Sequence, residues 1–328
     1  MRLVRIGTRG SQLALAQAGR IKHRLESLYP RVEFRLVIIK TTGDEFQSVE
    51  LFKKETIGVF TKAIEKKLIK KEIDIAVHSL KDLPTELPKG LTLAAFPKRL
   101  DVRDVLISKA RFSLTALPKG ARVGTGSIRR KRQILLERPD LKLVDIRGNL
   151  DTRVSKVLKE NKLDAIVVAR AGLLRLGKYL KYAAPISPWK IMPAVGQAAL
   201  GIEIRSKDKE ILKLVRPLNH RGTEIAVLAE RHFLKILQGG CRVPIGIFSS
   251  SKDGKVRLKV SVFSVESAET VSGQIEGAEK NWRRLAEALG KRLLKKGAAK
   301  FLSAARRDGS AELFGGKEAR KGLDNREG

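Results

Sequence analysis

The sequence predicts an α/β protein of two similar lobes with a smaller α+β domain after them, and three observations carry that reading. Short β-rich runs alternate with amphipathic helical stretches until about Thr223. A degenerate repeat relates RIGTRGSQLALAQAGRIKHRLESLYPRVEFRLV to RVGTGSIRRKRQILLERPDLKLVDI; both read strand, Gly-Thr, turn, Ser, helix, Pro, strand. Beyond Thr223 the pattern changes to a helix, alternating strands and a final helix.

In chain order, strands are expected at residues 3–7, 33–39, 73–78, 91–96, 122–124, 141–146 and 165–169. Helices are expected at 12–28, 61–70, 128–137 and 151–160. The repeat continues downstream, where KKEIDIAVHSLKDLP matches ENKLDAIVVARAGLL as helix end, Asp, buried strand and polar loop. Two facing lobes would each present a Gly-Thr loop followed by Ser at a helix start, with a ligand cleft between them. In the last part a helix over 224–237 ends at Gly239-Gly240-Cys241. Strands in PIGIFSS, VRLKVSVFS and TVSGQIEG follow, then a helix over about 281–295. The expected domains are 1–97 with 196–217, 101–192, and 222–303; the near-neutral, glycine-containing tail at 308–328 is expected to be disordered.

Composition narrows the function. No apolar run is long enough to cross a bilayer, and the start MRLVRIGTRGSQ lacks the apolar region of a signal peptide. A single cysteine rules out an internal disulfide and a cysteine-rich metal site. The histidines His23, His78, His220 and His232 show no metal-ligand spacing, so no metal and a cytosolic location are expected. Lys and Arg number 68 against 35 acids, a net charge of +33. Such a balance raises nucleic acid as a partner. Against it, aromatics are 5%, no nucleic-acid-binding motif is present, and the basic residues alternate with acids along helix faces, as in KAIEKKLIKKEID. A polyanionic small substrate is the better expectation.

The loops explain why. Thr8-Arg9-Gly10-Ser11 precedes an Ala- and Leu-rich helix, whose free N–H groups and dipole favour an anion. A plain N-cap serine beside a surface arginine explains Ser11 equally well. In Gly124-Thr125-Gly126-Ser127-Ile128-Arg129-Arg130, two arginines sit on a first helical turn where the dipole is already positive. That costs stability unless an anion is present. Arg147 and Arg153 add two more cations at strand-to-helix junctions, so several carboxylates or phosphates are implied. Asp82, after a buried strand and beside Lys81, could stabilise a developing cation and shuttle a proton, or could be a turn aspartate before Pro84. His78 reads as a satisfied strand histidine. Cys241, between flexible glycines and Arg242, suits a reactive thiol, although a lone cysteine is more often a small core residue.

Together the segments RIGTRGSQLALAQA, TTGD, GVFTKAIE, DIAVHSLKDLP, DVRDVLIS, VGTGSIRR, DIRGNLDTR, AGLLRLG, MPAVGQAALGIE and AERHFLKILQGGCRVPIG, in this order, resemble the porphobilinogen deaminase family over about residues 3–303. The resemblance implies two type II periplasmic-binding-protein-like domains and a small C-terminal domain. It implies a dipyrromethane cofactor in thioether linkage to Cys241. It further implies stepwise condensation of four porphobilinogen molecules into hydroxymethylbilane, each addition losing ammonia, by a monomer acting in heme biosynthesis. Asp82 becomes the catalytic carboxylate. Arg9, Ser11, Lys81, Thr125 and Ser127 become holders of pyrrole carboxylates, as do Arg129, Arg130, Arg147 and Arg153. Four positions depart from the family pattern: Ile57 for a lysine, Gly126 for a common serine, Arg170 for an aliphatic residue and Ala198 for a common glycine. The region near 45–58 is expected to be a mobile lid. The competing reading is a non-catalytic two-domain binder of polyanions, which leaves Lys81-Asp82 and the Gly-Gly-Cys segment unexplained.

Overall fold

The computed structural model describes residues 2–40, 61–237 and 243–305, organised around three sheets. The first sheet contains β1 (Arg2–Arg9), β2 (Val32–Ile39), β3 (Ile75–Ser79), β4 (Leu91–Ala95) and β10 (Leu200–Arg205). Their order is β2-β1-β3-β10-β4, with β1 parallel to β2 and β3, and β10 antiparallel to β3 and β4. The second contains β5 (Asp104–Ile107), β6 (Arg122–Gly124), β7 (Lys142–Val144), β8 (Ala165–Ala169) and β9 (Ala183–Pro185). Its order is β7-β6-β8-β5-β9, with β5 antiparallel to β8 and β9.

The two orders correspond place by place. β6, β7, β8 and β9 stand where β1, β2, β3 and β4 do, and β5 stands where β10 does. Residues 96–103 lead from β4 into the second sheet, and residues 186–199 return from β9 into the first. Each lobe therefore receives its antiparallel strand directly from a crossing segment, the arrangement of a type II periplasmic-binding-protein fold.

The repeat has a packing cause. Gly7 in β1 and Gly124 in β6 occupy equivalent strand positions. A Cβ at Gly7 would lie 2.3 Å from Ile73 Cδ1, and one at Gly124 2.6 Å from Leu163 Cδ1. Each strand is thus close-packed beneath the residues leading into the third strand of its sheet. In both lobes a buried threonine follows, Thr8 at 0% exposure and Thr125 at 1%.

The helices α1 (Gln12–Leu28) and α2 (Lys62–Ile69) pack on the first sheet, α1 burying Gln17, Ala18, Ile21 and Leu25 at helical spacing. The second lobe carries α3 (Ile128–Glu137), α4 (Leu150–Leu158) and α5 (Arg170–Leu176). Two features differ from the sequence expectation. Where a polar loop is predicted after β8, α5 begins at once and is closed by Gly177 in the left-handed conformation, φ 66°. The sequence reading has no strand at β5, β9 or β10: β5 and β10 are largely buried and lack the alternation that marks a half-exposed strand, and β9 has only three residues.

After α6 (Lys209–Val215) comes α7 (Arg221–Ile236), which starts three residues before the expected position because His220 Nδ1 accepts from Thr223 N at 3.1 Å and caps it. The third sheet is an antiparallel meander of β11 (Ile245–Lys252), β12 (Lys255–Phe263) and β13 (Thr270–Ala278), followed by α8 (Trp282–Leu293). Phe233 of α7, Ile247, Leu258 and Val260 of the sheet and Leu289 of α8 share one core, each 0% exposed. Truncating a buried phenylalanine such as Phe233 costs about 3–5 kcal/mol. The segment expected to be disordered, 308–328, lies outside the described residues.

Candidate active site

A cleft of about 390 Å³ lies between the two lobes, at the carboxyl ends of β1, β3 and β8. Arg9 and Ser11 reach it from the β1–α1 turn, and Ser79 and Lys81 from the end of β3. The opposite wall is residues 148–153, at the start of α4, and the first turns of α5. Ala198 and Ala199, on the returning crossing segment, are also in the lining. The lobes touch beside the cleft, where Arg20 of α1 donates to the carbonyls of Leu174 and Arg175 at 3.3 and 3.2 Å.

In the first lobe the loop does what its residue types dictate. The Ser11 hydroxyl accepts from Ala14 N at 3.3 Å, capping α1, while Thr8 Oγ1 turns inward to donate to Ala14 O. Arg9, half-buried, is on the cleft wall. Lys81 and Asp82 lie on a single 3-10 turn, Leu80–Asp82, directly after the buried strand β3. The Asp82 carboxylate raises the Lys81 pKa, yet desolvation and the nearby charges of Arg130 and Arg153 outweigh it and leave the ammonium below its usual range. Lys81 remains open to the cleft, so it stays accessible to an anion. His78 is satisfied, as the sequence indicates: its Nε2 pairs with the buried Glu203 carboxylate at 2.9 Å.

The equivalent loop in the second lobe is organised differently. Ser127 caps α3, accepting from Arg130 N at 3.4 Å, and Thr125 Oγ1 accepts from Ser127 N at 3.3 Å. Arg129 and Arg130 are 5% and 7% exposed. The anion that their positions demand is the protein's own Asp104, on β5. Arg129 Nη2 donates to Asp104 Oδ2 at 2.9 Å and Arg130 Nη2 to Oδ1 at 2.8 Å. Burial alone would raise the Asp104 pKa, but the Arg130 and Arg129 charges and their hydrogen bonds hold it down at about 2. Arg129 also donates to Met192 O, and Arg130 donates to Val167 O at 3.1 Å. Gln197 Nε2, from the crossing segment, completes the cluster at 2.9 Å from Asp104 Oδ1. One carboxylate faces two guanidiniums, so a positive charge is left over. Arg130 lines the cleft and keeps a buried Nε with no partner.

Among the expected site residues, Arg9, Ser11, Lys81, Arg130 and Arg153 converge on the cleft. Arg153 Nε donates to Gly148 O at 2.7 Å, and its pKa is lowered by burial and by Arg130, with Asp82 opposing. Asp82 is exposed beside Lys81 and is not itself in the lining, though its charge acts on Lys81 and Arg153. Thr125, Ser127 and Arg129 support the α3 loop and are not in the lining, and Arg147 is exposed outside it. The structure adds Arg175, which sequence reasoning missed. It is 8% exposed, lines the cleft, and donates to Ala198 O at 2.7 Å; burial and Arg20 lower its pKa to about 10. Its signal was the Arg in AGLLRLG, unread because no helix was expected there. Cys241, Ile57 and the expected lid near 45–58 lie outside the described residues. Of the other departures, Arg170 pairs with Asp101 at 2.8 Å on the crossing segment, and a Cβ at Gly126 would stand 2.8 Å from Ile146 O.

These features define a two-lobed α/β protein of the type II binding-protein fold whose cleft is lined by Arg9, Lys81, Arg130, Arg153 and Arg175. The comparisons with known proteins give the family. Residues 4–213 match the model described as porphobilinogen deaminase, dipyromethane cofactor binding domain, and residues 224–298 the porphobilinogen deaminase C-terminal domain. The chain is 46% identical over 305 residues to a porphobilinogen deaminase of Desulforudis audaxviator, covering 93% of this chain and 98% of that one. It is 44% identical over 303 residues to that of Carboxydothermus hydrogenoformans, covering 92% and 97%. Among solved structures, the effector-binding domain of BenM with benzoate is similar over 66% of this chain and 91% of its own, at 14% identity and a TM-score of 0.38. The chain belongs to the porphobilinogen deaminase family, whose members are transferases of tetrapyrrole biosynthesis.

Proposed function

We propose that this chain synthesises hydroxymethylbilane by joining four porphobilinogen units head to tail. The observation that supports this most is the donor set of the cleft. Arg9, Lys81, Arg130, Arg153 and Arg175 converge from both lobes, and the charge of Asp82 acts on Lys81 and Arg153. Each pyrrole of the substrate bears an acetate and a propionate, so a growing chain requires many charge-assisted donors. A dipyrromethane cofactor fits the same set. Its carboxylates would be held by Arg9, Ser11, Lys81, Arg130 and Arg153; the buried Arg130 Nε, without a partner, marks that wall as short of acceptors. Its attachment, in this proposal, is a thioether to Cys241. When bound it supplies the pyrrole α-carbon to which the first unit is joined.

The chain's own residues then have limited tasks. Arg9 and Arg153, from opposite lobes, orient the carboxylates of the incoming unit. Asp82 faces the positive charge left on the substrate when its C–N bond breaks and ammonia departs; a fixed carboxylate stabilises that cation in a cleft of reduced dielectric. Formation of the C–C bond releases a proton from the ring carbon, and Asp82 accepts it. Asp104 holds Arg130 at the cleft wall, and Thr125, Ser127 and Arg129 serve by shaping that loop. Arg147, exposed outside the lining, would serve later units of the chain. The setting we propose is a cytosolic monomer with domains 1–97 plus 196–217, 101–192 and 222–303. The three separate sheets support the division into domains.

Intact mass and colour with Ehrlich's reagent test the proposal. The purified protein is expected to carry a covalent increment and to give the colour, and Cys241→Ala is expected to have neither. Asp82→Asn should retain the increment and lose turnover by about 10²-fold or more. An Asp82→Asn variant with full turnover would overturn the assigned role of this carboxylate.

A further inference from the structure

Arg231 of α7 is 7% exposed, and no carboxylate pairs with it among the described residues. Its fork is occupied by two consecutive backbone carbonyls: Nη1 donates to Leu83 O at 3.0 Å and Nη2 to Pro84 O at 2.5 Å. Burial of the guanidinium is costly and lowers the Arg231 pKa to about 10, the charge of Glu203 opposing but not offsetting it, so an apolar side chain of similar volume would pack there more cheaply. What the guanidinium contributes is geometry. Leu83 and Pro84 follow Asp82 directly, and Leu83 has the extended conformation that a residue before proline requires, φ −94° and ψ 127°.

The other sides of the same turn are also fixed. Leu80 N donates to Ala199 O at 3.1 Å, and Leu83 N closes the turn on Leu80 O at 3.3 Å. Gly196, at φ 68°, lies so close that a Cβ there would stand 3.1 Å from both Leu80 C and Lys81 N. Gly196 N in turn donates to Glu230 Oε2 at 2.6 Å, and Glu230, 0% exposed, also receives Arg99 Nη1 at 2.7 Å. Neighbouring residues of one helix therefore hold two things: Glu230 the crossing segment, and Arg231 the turn that carries Lys81 and Asp82. Val227, one turn earlier, packs with Leu80 and Leu83 in the same apolar cluster.

We infer that Arg231 is a positioning residue for Asp82, through which the helix leading towards Cys241 sets the carboxylate at the cleft. The inference rests on the role proposed above for Asp82. A displacement of the reacting group by about 1 Å can cost 10²-fold in rate. Losing the fork should therefore lower kcat rather than weaken the grip on substrate carboxylates, which belongs to other residues.

The test is a double-mutant cycle between Arg231→Lys, which keeps the charge and most of the volume, and Asp82→Asn, each verified by intact mass to carry its covalent group. Arg231→Gln is the second variant should the lysine variant fail to fold. In the parent, Arg231→Lys is expected to lower kcat by at least about tenfold with KM changed less than threefold. In the Asp82→Asn background the same change should cost less than about twofold. Hydrogen exchange in the peptide carrying residues 80–84 should rise at least tenfold. An unchanged kcat, an equal loss in both backgrounds or unchanged exchange would overturn the positioning role while leaving the function of Asp82 intact. Full turnover by Asp82→Asn alone would remove the role proposed for that carboxylate, and this inference with it.

Discussion

The two Gly-Thr loops, Gly7-Thr8-Arg9-Gly10-Ser11 and the one-residue-shorter Gly124-Thr125-Gly126-Ser127, begin from the same local design and end with different electrostatics. In both, a glycine on a buried strand precedes an inward-turned threonine, and a serine caps the following helix. In the first lobe Arg9 stays half-buried on the cleft wall. In the second, Arg129 and Arg130 fold inward onto Asp104. A cation beside a helix start is therefore not in itself a ligand contact. What decides is where the fold turns the side chain: Arg129 is drawn out of the lining onto Asp104, whereas Arg9 and Arg130 stay on the cleft wall.

The largest effect that would break this comparison is removal of the internal anion. Asp104→Asn leaves two buried guanidiniums without a counter-charge, which should cost about 3–5 kcal/mol in urea unfolding monitored through the second lobe. The pH dependence has a definite sign. Asp104 is held at about 2 against an ordinary 3.8, so its contribution is fully present above about pH 4 and is lost as the pH falls through about 2. The Asn variant should lack that acid-side loss. If it proved as stable as the parent, the cluster would not be what organises the second loop.

Arg9 supplies the contrast. Arg9→Met should raise KM for porphobilinogen about tenfold to a hundredfold, the equivalent of one charge-assisted hydrogen bond at about 1.5–3 kcal/mol. Its stability should change by no more than about 0.5 kcal/mol. Steady-state kinetics and a thermal melt on the same preparation separate the two quantities. A large loss of stability with unchanged KM would make Arg9 a structural residue like Arg129 and erase the difference between the lobes.

What was legible in the sequence follows the range of the interactions involved. The caps Ser11 and Ser127, the turn before Pro84 and the repeat itself are local signals, and the structure carries each of them. The adjacency of Arg129 and Arg130 required an anion, and that requirement was sound. Its source was hidden because Asp104 lies 25 residues upstream of Arg129, on a four-residue strand buried throughout and so without periodicity. Arg175 was missed for a related reason: it sits on α5, a seven-residue helix that a single sequence presents as a loop. Arg231 was not singled out, since nothing in AERHFLKI announces that its partners are the carbonyls of Leu83 and Pro84. Contacts between distant segments carry the specific chemistry, and a local pattern contains no record of them.

The smallest predicted effect concerns the segment that joins the lobes. Ala198 has φ 70°, a conformation that costs an L-residue with a Cβ roughly 1–2 kcal/mol, whereas Gly196 adopts φ 68° without that penalty. Ala198 is held there because its carbonyl accepts Arg175 Nη2 from the second lobe at 2.7 Å, while Ala199 O accepts Leu80 N from the first. Ala198→Gly removes the strain but adds freedom to the unfolded chain and deletes a methyl group at a site 5% exposed. The balance should be a gain of at most about 1 kcal/mol, read as a rise in melting temperature of roughly 2 °C or less. A fall in melting temperature would mean that packing of the Ala198 methyl outweighs its backbone strain. The joint between the two lobes would then be stiffened by that side chain rather than strained by it.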